Sequence, residues 1–76
     1  MNQRAATGRD NRRKAIIAVA REMFLDQGYE TVSMSGIAAQ LGGSKATLWS
    51  YFPNKPALFM AVAEDLIEEY AEFIQG

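Results

Sequence analysis

The sequence predicts an all-α fold: three helices, two of which form a helix-turn-helix, followed by the start of a long fourth helix. Three observations lead to it. Apolar residues recur at helical spacings of three and four along most of the 76 residues. Residues that begin or end helices divide the chain into four segments. No stretch alternates apolar and polar residues between turn residues, as a strand would.

The chain begins with a segment that lacks helical periodicity. We expect residues 1–10 to be a flexible basic arm, because they hold two arginines and few apolar groups. The first helix is predicted over about 11–27, and Gly28 then supplies the left-handed residue that commonly ends a helix. Its inward face consists of apolar residues at helical intervals, namely Ile16, Ile17, Ala20 and Phe24.

The second helix, predicted over about 34–41, and the third, over about 45–52, form the helix-turn-helix. Two helices that cross steeply need a small residue at their contact and a left-handed residue in the turn. Ala38 and Gly42 supply these residues at a spacing of four. The angle between the helices is filled by Ile37, Leu41 and Leu48. Spacing alone leaves a second interpretation open, which is a plain corner of a three-helix bundle.

Side chains that cap helices mark the remaining boundaries. The candidate caps are Ser33 or Ser35 for the second helix, Ser44 for the third and Asn54 for the fourth. Pro53 stops the third helix, and Pro56 lies in the first turn of the next, where its missing N–H costs nothing. The predicted organisation is thus a helix-turn-helix domain over 11–54 and a fourth helix over 55–76.

Charge is divided unevenly along the chain, although its net value is only −1. Residues 1–55 hold all eight lysines and arginines with four acidic residues, a net charge of +4. Residues 56–76 hold five acidic residues and no basic ones, a net charge of −5. A basic segment joined to an acidic one favours a polyanion as partner of the first. Solvated charges dispersed by chance are an equally good interpretation of this evidence alone.

Composition also excludes several kinds of protein. The absence of cysteine excludes disulfides and thiolate metal sites, and it favours the reducing cytoplasm. The absence of histidine excludes imidazole ligands and histidine-based acid–base catalysis. We therefore expect a binding domain, not an enzyme, with no cofactor and no metal. The longest apolar stretches, Ala15–Ala20 and Ala57–Ala63, are too short to span a membrane.

The outward face of the third helix carries short or polar side chains and aromatics, namely Lys45, Ala46, Thr47, Trp49, Ser50 and Tyr51. A helix that enters a DNA major groove needs small residues near its N-terminus and a few groups that reach base edges. Ala46 and Thr47 suit contact with thymine methyl groups, and Lys45 can donate to guanine. A solvated or phosphate-facing Lys45 is nearly as good an interpretation. Trp49 and Tyr51 would ordinarily be core residues, but Leu48 and Phe52 already occupy the inward side.

Phosphate contacts have signals of their own. The N-termini of the second and fourth helices, near Ser33 and Asn54, present free N–H groups and positive dipole ends. Lys55 lies at one of them, and Ser44 begins the third helix. Basic residues at the start of the chain can reach a phosphate or the minor groove, namely Arg9, Arg12, Arg13 and Lys14.

From about Arg13 to Phe59, the sequence resembles the N-terminal DNA-binding domain of the TetR (tetracycline repressor) family of bacterial transcription regulators. The segments that carry the resemblance are FLDQGY at 24–29, TVSM at 31–34, IA at 37–38, LGGSKATLWSYF at 41–52, PNK at 53–55 and LF at 58–59. By position, the resemblance implies base contacts from Lys45, Ala46 and Thr47, joined by Ser35 and Ser50. It implies phosphate contacts from Ser33, Ser44, Trp49, Tyr51 and Lys55.

The chain departs from the family pattern at three positions. Trp49 stands where the family usually has tyrosine, and Ala46 stands where glycine is frequent. Gly43 replaces a branched apolar residue, which removes the hydrophobic staple before the Ser44 cap.

The resemblance implies a repressor that binds a palindromic operator in double-stranded DNA as a homodimer. A small-molecule inducer would bind a C-terminal domain that is absent from this sequence and would release the DNA. The fourth helix is consistent with a covered surface, because its acids lie opposite an apolar stripe, namely Leu66, Ile67, Tyr70, Phe73 and Ile74. The alternative is a small helical protein-interaction module that uses this stripe.

Overall fold

The chain folds into four helices joined by short connections. The computed structural model describes residues 8–43 and 45–75. The helices are α1 (Gly8–Gln27), α2 (Met34–Leu41), α3 (Lys45–Tyr51) and α4 (Lys55–Gln75). Within these described residues there is no strand, and the predicted all-α fold with a helix-turn-helix is confirmed.

All four helices contribute to a single apolar core. α1 packs against α4 and α2, and α2 packs against α3. The core residues are Ile16, Ile17, Ala20, Phe24, Val32, Ile37, Ala38, Leu48, Phe52, Leu58, Ala61 and Val62. The inward residues predicted for the first three helices are therefore buried, except that Leu41 is half-buried at the edge of the core. α1 is the central support, and α3 is held mainly through α2.

Two of the predicted caps are made by side chains. The Oγ of Ser33 accepts a hydrogen bond from the backbone N–H of Gly36 at 2.9 Å, which caps α2. The Oδ1 of Asn54 accepts one from the N–H of Ala57 at 2.9 Å, at the start of α4. Ser35, the other candidate for α2, lies within that helix. The expected cap at Ser44 lies outside the described residues.

Glycines with left-handed backbone end the first two helices. Gly28 follows α1 with φ of 91°, and Gly42 follows α2 with φ of 81°. The N–H of Gly42 donates to the carbonyls of Ala38 and Ala39, which satisfies two of the last carbonyl groups of α2. The turn of the helix-turn-helix therefore begins as the sequence predicts.

The first helix begins earlier than its apolar periodicity indicates. Residues 8–10 of the expected arm are the first turn of α1, and residues 1–7 of that arm lie outside the described residues. Asp10 favours this extra turn because a carboxylate is stabilised near the positive end of a helix. Arg9 also finds a partner on α3, and that tertiary contact cannot be read from periodicity.

The connection between α1 and α2 is fixed by aromatic packing against α4. The ring centroids of Phe24 and Tyr29 are 5.6 Å apart, and Phe59 meets both rings edge-on at 5.4 and 5.0 Å. Edge-on and offset arrangements are the favourable geometries of aromatic pairs.

No helix among the described residues is long and apolar enough to cross a membrane.

Candidate nucleic-acid interface

The outer face of α3 is polar and open to solvent. Leu48 and Phe52 point into the core, whereas Lys45, Ala46 and Ser50 are exposed. Trp49 is 38% exposed, which places its indole at the edge of this face and not in the core. The structure therefore exposes four of the six residues predicted for the outward face of α3, whereas Thr47 and Tyr51 are half-buried.

Ser50 and Thr47 lie one turn apart on α3, but their environments differ. The Oγ of Ser50 donates to the carbonyl of Thr47 at 2.7 Å, one turn earlier in the helix. Because the hydroxyl hydrogen is used there, Ser50 can only accept a hydrogen bond from a base. Thr47 is half-buried on the flank of α3 that faces α1. Its methyl-bearing side chain is thus held beside the open face.

A groove of about 190 Å³ lies below the turn that precedes α3. Its lining is largely apolar and includes Gly43, with Arg12, Ala15, Ile16, Leu41, Thr47 and Leu48. A Cβ atom added to Gly43 would meet no heavy atom within 4 Å. The groove therefore lies at the position where the family pattern has a branched apolar residue and this chain has glycine.

The start of α2 brings Ser33 and Ser35 to the surface. The oxygen of Ser33 is engaged by the cap, but its hydroxyl hydrogen can still donate to a phosphate. Gly36 leaves room for that cap, since a Cβ there would lie 3.1 Å from the Ser33 Oγ. Ser35 is exposed within the first turn of α2.

Two arginines of α1 stack on aromatic rings at the end of α3. The guanidinium carbon of Arg9 is 4.2 Å from the centroid of the Tyr51 ring, and that of Arg13 is 5.3 Å from the Phe52 ring. From the sequence, Arg9 belongs to the expected arm and Arg13 to the start of the first helix, and both are predicted to reach a phosphate or the minor groove. Their spacing of four along one helix was a visible signal, but the rings they meet come from a different helix.

Arg12 and Lys14, the other basic residues of this region, have different surroundings. Arg12 borders the groove beside Thr47. Lys14 borders a separate groove between α1 and α4, which is also lined by Asp65 and Glu68. Both side chains are exposed.

An ion-pair cluster joins α1 to α4, and the sequence did not reveal it. The guanidinium of Arg21 lies 3.4 Å from a carboxylate oxygen of Asp65 and 2.7 Å from one of Glu69. The acids of the fourth helix are therefore not all on a free outer face. The spacing of four between Asp65 and Glu69 was visible, but the position of Arg21 depends on how the two helices pack.

Lys55 has a different environment from the phosphate site expected for it. Its Nζ donates to the carbonyl oxygens of Tyr29 and Val32 at 2.7 and 2.9 Å. It also lies 4.2 Å from the centroid of the Tyr29 ring. Two of its three N–H groups thus join the start of α4 to the α1–α2 connection. Only the third N–H group is left to donate to a phosphate.

The second half of α4 exposes apolar side chains. Ile67 and Tyr70 are each 66% exposed, Phe73 is 83% exposed, and Ile74 is also open to solvent. Leu66, which the sequence assigned to the same stripe, is half-buried against the core. We call the four exposed residues Ile67, Tyr70, Phe73 and Ile74 the distal stripe.

Comparisons with known proteins agree on one family. The family described as "Bacterial regulatory proteins, tetR family" matches residues 16–62, more than half of the chain. The transcriptional activator FasR of Mycolicibacterium smegmatis is 39% identical over 56 residues, 74% of this chain and 26% of that protein. Two Escherichia coli K12 proteins are also similar: the transcriptional regulator RutR, 35% identical over 57 residues, and the transcriptional repressor ComR, 34% identical over 59 residues. These matches cover 75% and 78% of this chain and 27% and 28% of RutR and ComR, respectively. The chain thus spans about a quarter of the length of these relatives, which are named as regulators and not as enzymes.

Proposed function

This chain belongs to the tetR family of bacterial regulatory proteins and holds the DNA-binding domain of a transcriptional regulator; from that premise we propose how it binds. α3 enters the major groove with its exposed face toward the bases. Two copies bind a palindromic operator as a homodimer, with their α3 helices in successive major grooves about 34 Å apart.

The observation that carries the proposal is the division of α3 into two sides. Leu48 and Phe52 anchor the helix in the core, and the opposite side is polar, small and unobstructed. A face made only for solubility would not need small residues such as Ala46 at its centre. Small residues let the helix backbone approach the base edges.

Each proposed base contact follows from the chemistry of its side chain. Lys45 donates to guanine O6 or N7, and Ser50 accepts from an exocyclic amino group. Ala46 and Thr47 contact thymine methyl groups. Ser35 reaches a base edge from the start of α2.

The proposed phosphate contacts surround these base contacts. Ser33 donates through its remaining hydroxyl hydrogen, Trp49 through its indole N–H, and Tyr51 through its phenol. Ser44 and the third N–H of Lys55 complete this set, and the basic residues of α1 add charge at the edge of the face, namely Arg9, Arg12, Arg13 and Lys14. These contacts set the salt dependence of binding and not its sequence preference.

Selection from a random pool of duplexes tests the binding mode directly. The 76-residue chain, joined at its C-terminus to a dimeric coiled coil, is used to enrich bound duplexes. We expect an inverted repeat whose half-sites are centred one helical turn apart, or a multiple of it. A pool that stays random after repeated rounds at low salt would contradict the proposal.

A pair of matched substitutions tests the role of the α3 face. Ala46→Asp places a carboxylate against the groove and is expected to weaken binding to the enriched duplex by about 100-fold or more. Ala71→Asp makes the same change at another exposed alanine, on the second half of α4, and is expected to have a much smaller effect. The readout is a fluorescence titration, with circular dichroism to check that both variants are helical. Equal losses in the two variants would show that only total charge matters.

The distal stripe supports a proposal for the full-length regulator. We propose that a further helical domain packs on this stripe, dimerises the protein and binds a small-molecule inducer that releases the DNA. In that scheme the regulator is a cytoplasmic repressor. Both directions of regulation occur among the relatives, because FasR is named an activator and ComR a repressor.

The same stripe favours a second candidate function, a protein-interaction module. In that case Ile67→Ala would weaken binding to the partner, while Lys45→Ala and Thr47→Ala would leave it unchanged. The opposite pattern in a duplex titration supports DNA binding. The similarity to transcriptional regulators favours DNA binding as the primary function.

A further inference from the structure

We propose that Arg9 is a positioning residue: it fixes Tyr51 and the C-terminal end of α3, and thereby the orientation of the face that meets DNA. The proposal rests on the proposed function, because α3 must be the reading helix for its orientation to affect binding. Its structural part, the control of α3 by Arg9, can be measured without DNA.

The end of α3 has little backbone support. The helix has seven residues, and its last carbonyl groups lack partners within the helix. The N–H of Phe52 donates to the carbonyl of Leu48 at 3.0 Å and makes the last helical hydrogen bond. Pro53 follows and cannot continue the ladder. The position of this end therefore depends on side-chain contacts.

Arg9 supplies such a contact from α1. Its guanidinium lies 4.2 Å from the Tyr51 ring centroid, well within the roughly 6 Å range of cation–π attraction. Its Nη2 also points at the carbonyl of Ser50, at 3.5 Å. This distance makes the hydrogen bond weak, so the ring contact is the stronger of the two. A cation at the C-terminal end of a helix is also favoured by the helix dipole.

Arg13 extends the contact by one turn of α1. It lies four residues after Arg9 and faces the Phe52 ring at 5.3 Å. Two guanidinium groups on one side of α1 thus hold two consecutive rings at the end of α3. Phe52 is buried and would stay in the core without Arg13, whereas Tyr51 is half-buried and depends more on its arginine.

Positioning and phosphate contact have different consequences for DNA binding. Loss of a cation that only meets phosphate weakens binding to every duplex and lowers the salt slope by about 0.9. Loss of a residue that orients the reading face weakens binding to the preferred duplex more than to others. This is because contacts with base edges require a precise orientation of α3, whereas attraction to phosphates does not.

The test compares Arg9→Gln with Arg12→Gln in the 76-residue chain joined to the dimeric coiled coil. Arg12 carries the same charge on the same helix and is exposed, and in the described part of the chain it stacks on no ring. The probes are a duplex enriched by selection and a scrambled duplex of equal length and composition. We expect the two variants to lose the same affinity for the scrambled duplex. On the enriched duplex, Arg9→Gln alone should lose a further factor of about two to five in affinity, which corresponds to ~1 kcal/mol or less.

A measurement without DNA accompanies the titration. In ¹⁵N-labelled protein, we expect the amide resonances of Ser50, Tyr51 and Phe52 to move in Arg9→Gln and to stay in place in Arg12→Gln. Arg9→Lys keeps the charge but lacks the planar group that stacks on the ring, so it should reproduce part of the effect. Circular dichroism confirms that each variant is folded.

Two results overturn the proposal. The first is that Arg9→Gln and Arg12→Gln lose the same affinity for both duplexes and neither shifts the amide resonances of residues 50–52. Arg9 would then contribute only its positive charge near phosphate. Resonances that move without any loss of selectivity would show that the position of Tyr51 does not matter for reading. If the unsubstituted chain, joined to the dimeric coiled coil, does not distinguish the two duplexes, the proposed function fails, and the resonances still decide whether Arg9 positions α3.

Discussion

Two regions of this small protein, α3 and the second half of α4, place their apolar side chains in opposite ways. Around α3, the large aliphatic residues are buried, and the exposed side consists of small and polar groups. In the second half of α4, the large apolar residues are exposed, and two of the acids opposite them face Arg21 of α1. The first arrangement suits a hydrated polyanion, and the second suits an apolar protein surface. The stability of the domain should therefore depend on the buried residues around α3 and hardly at all on the exposed residues of α4.

The largest expected effect comes from truncating one isoleucine to alanine in each region. Ile37 is 0% exposed in α2, and Ile67 is 66% exposed in the distal stripe. We expect Ile37→Ala to lower the free energy of unfolding by about 2–5 kcal/mol, because it leaves a cavity in the core. Ile67→Ala should lower it by less than about 0.5 kcal/mol. Urea unfolding followed by circular dichroism measures both.

If Ile37→Ala does not fold, Ile37→Val keeps the comparison possible, with an expected cost of about 0.5–1.5 kcal/mol. Similar costs at the two isoleucines would mean that the distal stripe is buried in solution, for example by self-association. Sedimentation velocity at several concentrations would then identify that state.

A smaller effect is expected from the two adjacent glycines of the turn. Gly42 has φ of 81°, a backbone conformation that strains any residue with a Cβ, whereas Gly43 is outside that region. Gly42→Ala should destabilise the protein by about 1 kcal/mol. Gly43→Ala should stabilise it by about 0.4–1 kcal/mol, because the unfolded chain loses freedom.

Thermal unfolding of the two glycine variants, each against the unmodified chain, checks these signs. Gly43→Val extends the test, since its side chain would reach the groove lined by Ile16, Leu41 and Leu48. We expect it to be at least as stable as Gly43→Ala. A destabilised Gly43→Val would mean that the groove closes in solution.

The smallest effect concerns the ion pairs that join α1 to the second half of α4. Arg21 and Glu69 are 2.7 Å apart, but their side chains are 30% and 62% exposed, so solvent screens the attraction. We expect Arg21→Gln to cost about 0.2–1 kcal/mol at low salt and almost nothing at 1 M NaCl. Arg12→Gln is the control, because no ion pair involves Arg12 in the described part of the chain. A loss for Arg21→Gln that persists at high salt would show that the arginine acts by packing.

Local signals in the sequence predicted the helices and their ends with good accuracy. The predicted helix ends at Gln27 and Leu41 agree with the structure, because Gly28 and Gly42 adopt the left-handed backbone that their positions predict. The inward and outward sides of α3 also follow from spacing alone, since Leu48 and Phe52 lie four apart. These features depend on residues that are neighbours in the chain.

Contacts between distant residues could not be predicted in the same way. The sequence could not show that Lys55 would meet carbonyl groups of Tyr29 and Val32, because backbone acceptors carry no sequence signal. The start of α1 at Gly8 was missed because apolar periodicity begins later, and because the Arg9–Tyr51 contact joins residues more than forty positions apart. The proposed base contacts stay predictions until a duplex is bound.

The enclosure of the Lys55 ammonium has a practical consequence for chemical footprinting. The chain has three lysines, Lys14, Lys45 and Lys55. The Lys55 ammonium is half-buried and donates to two carbonyls, whereas Lys14 and Lys45 are exposed, so we expect acylating reagents to modify Lys55 more slowly. Brief acylation of the native protein should therefore label mainly Lys45 on α3 and Lys14 at the α1–α4 groove, and mass spectrometry can follow each separately when a duplex is added.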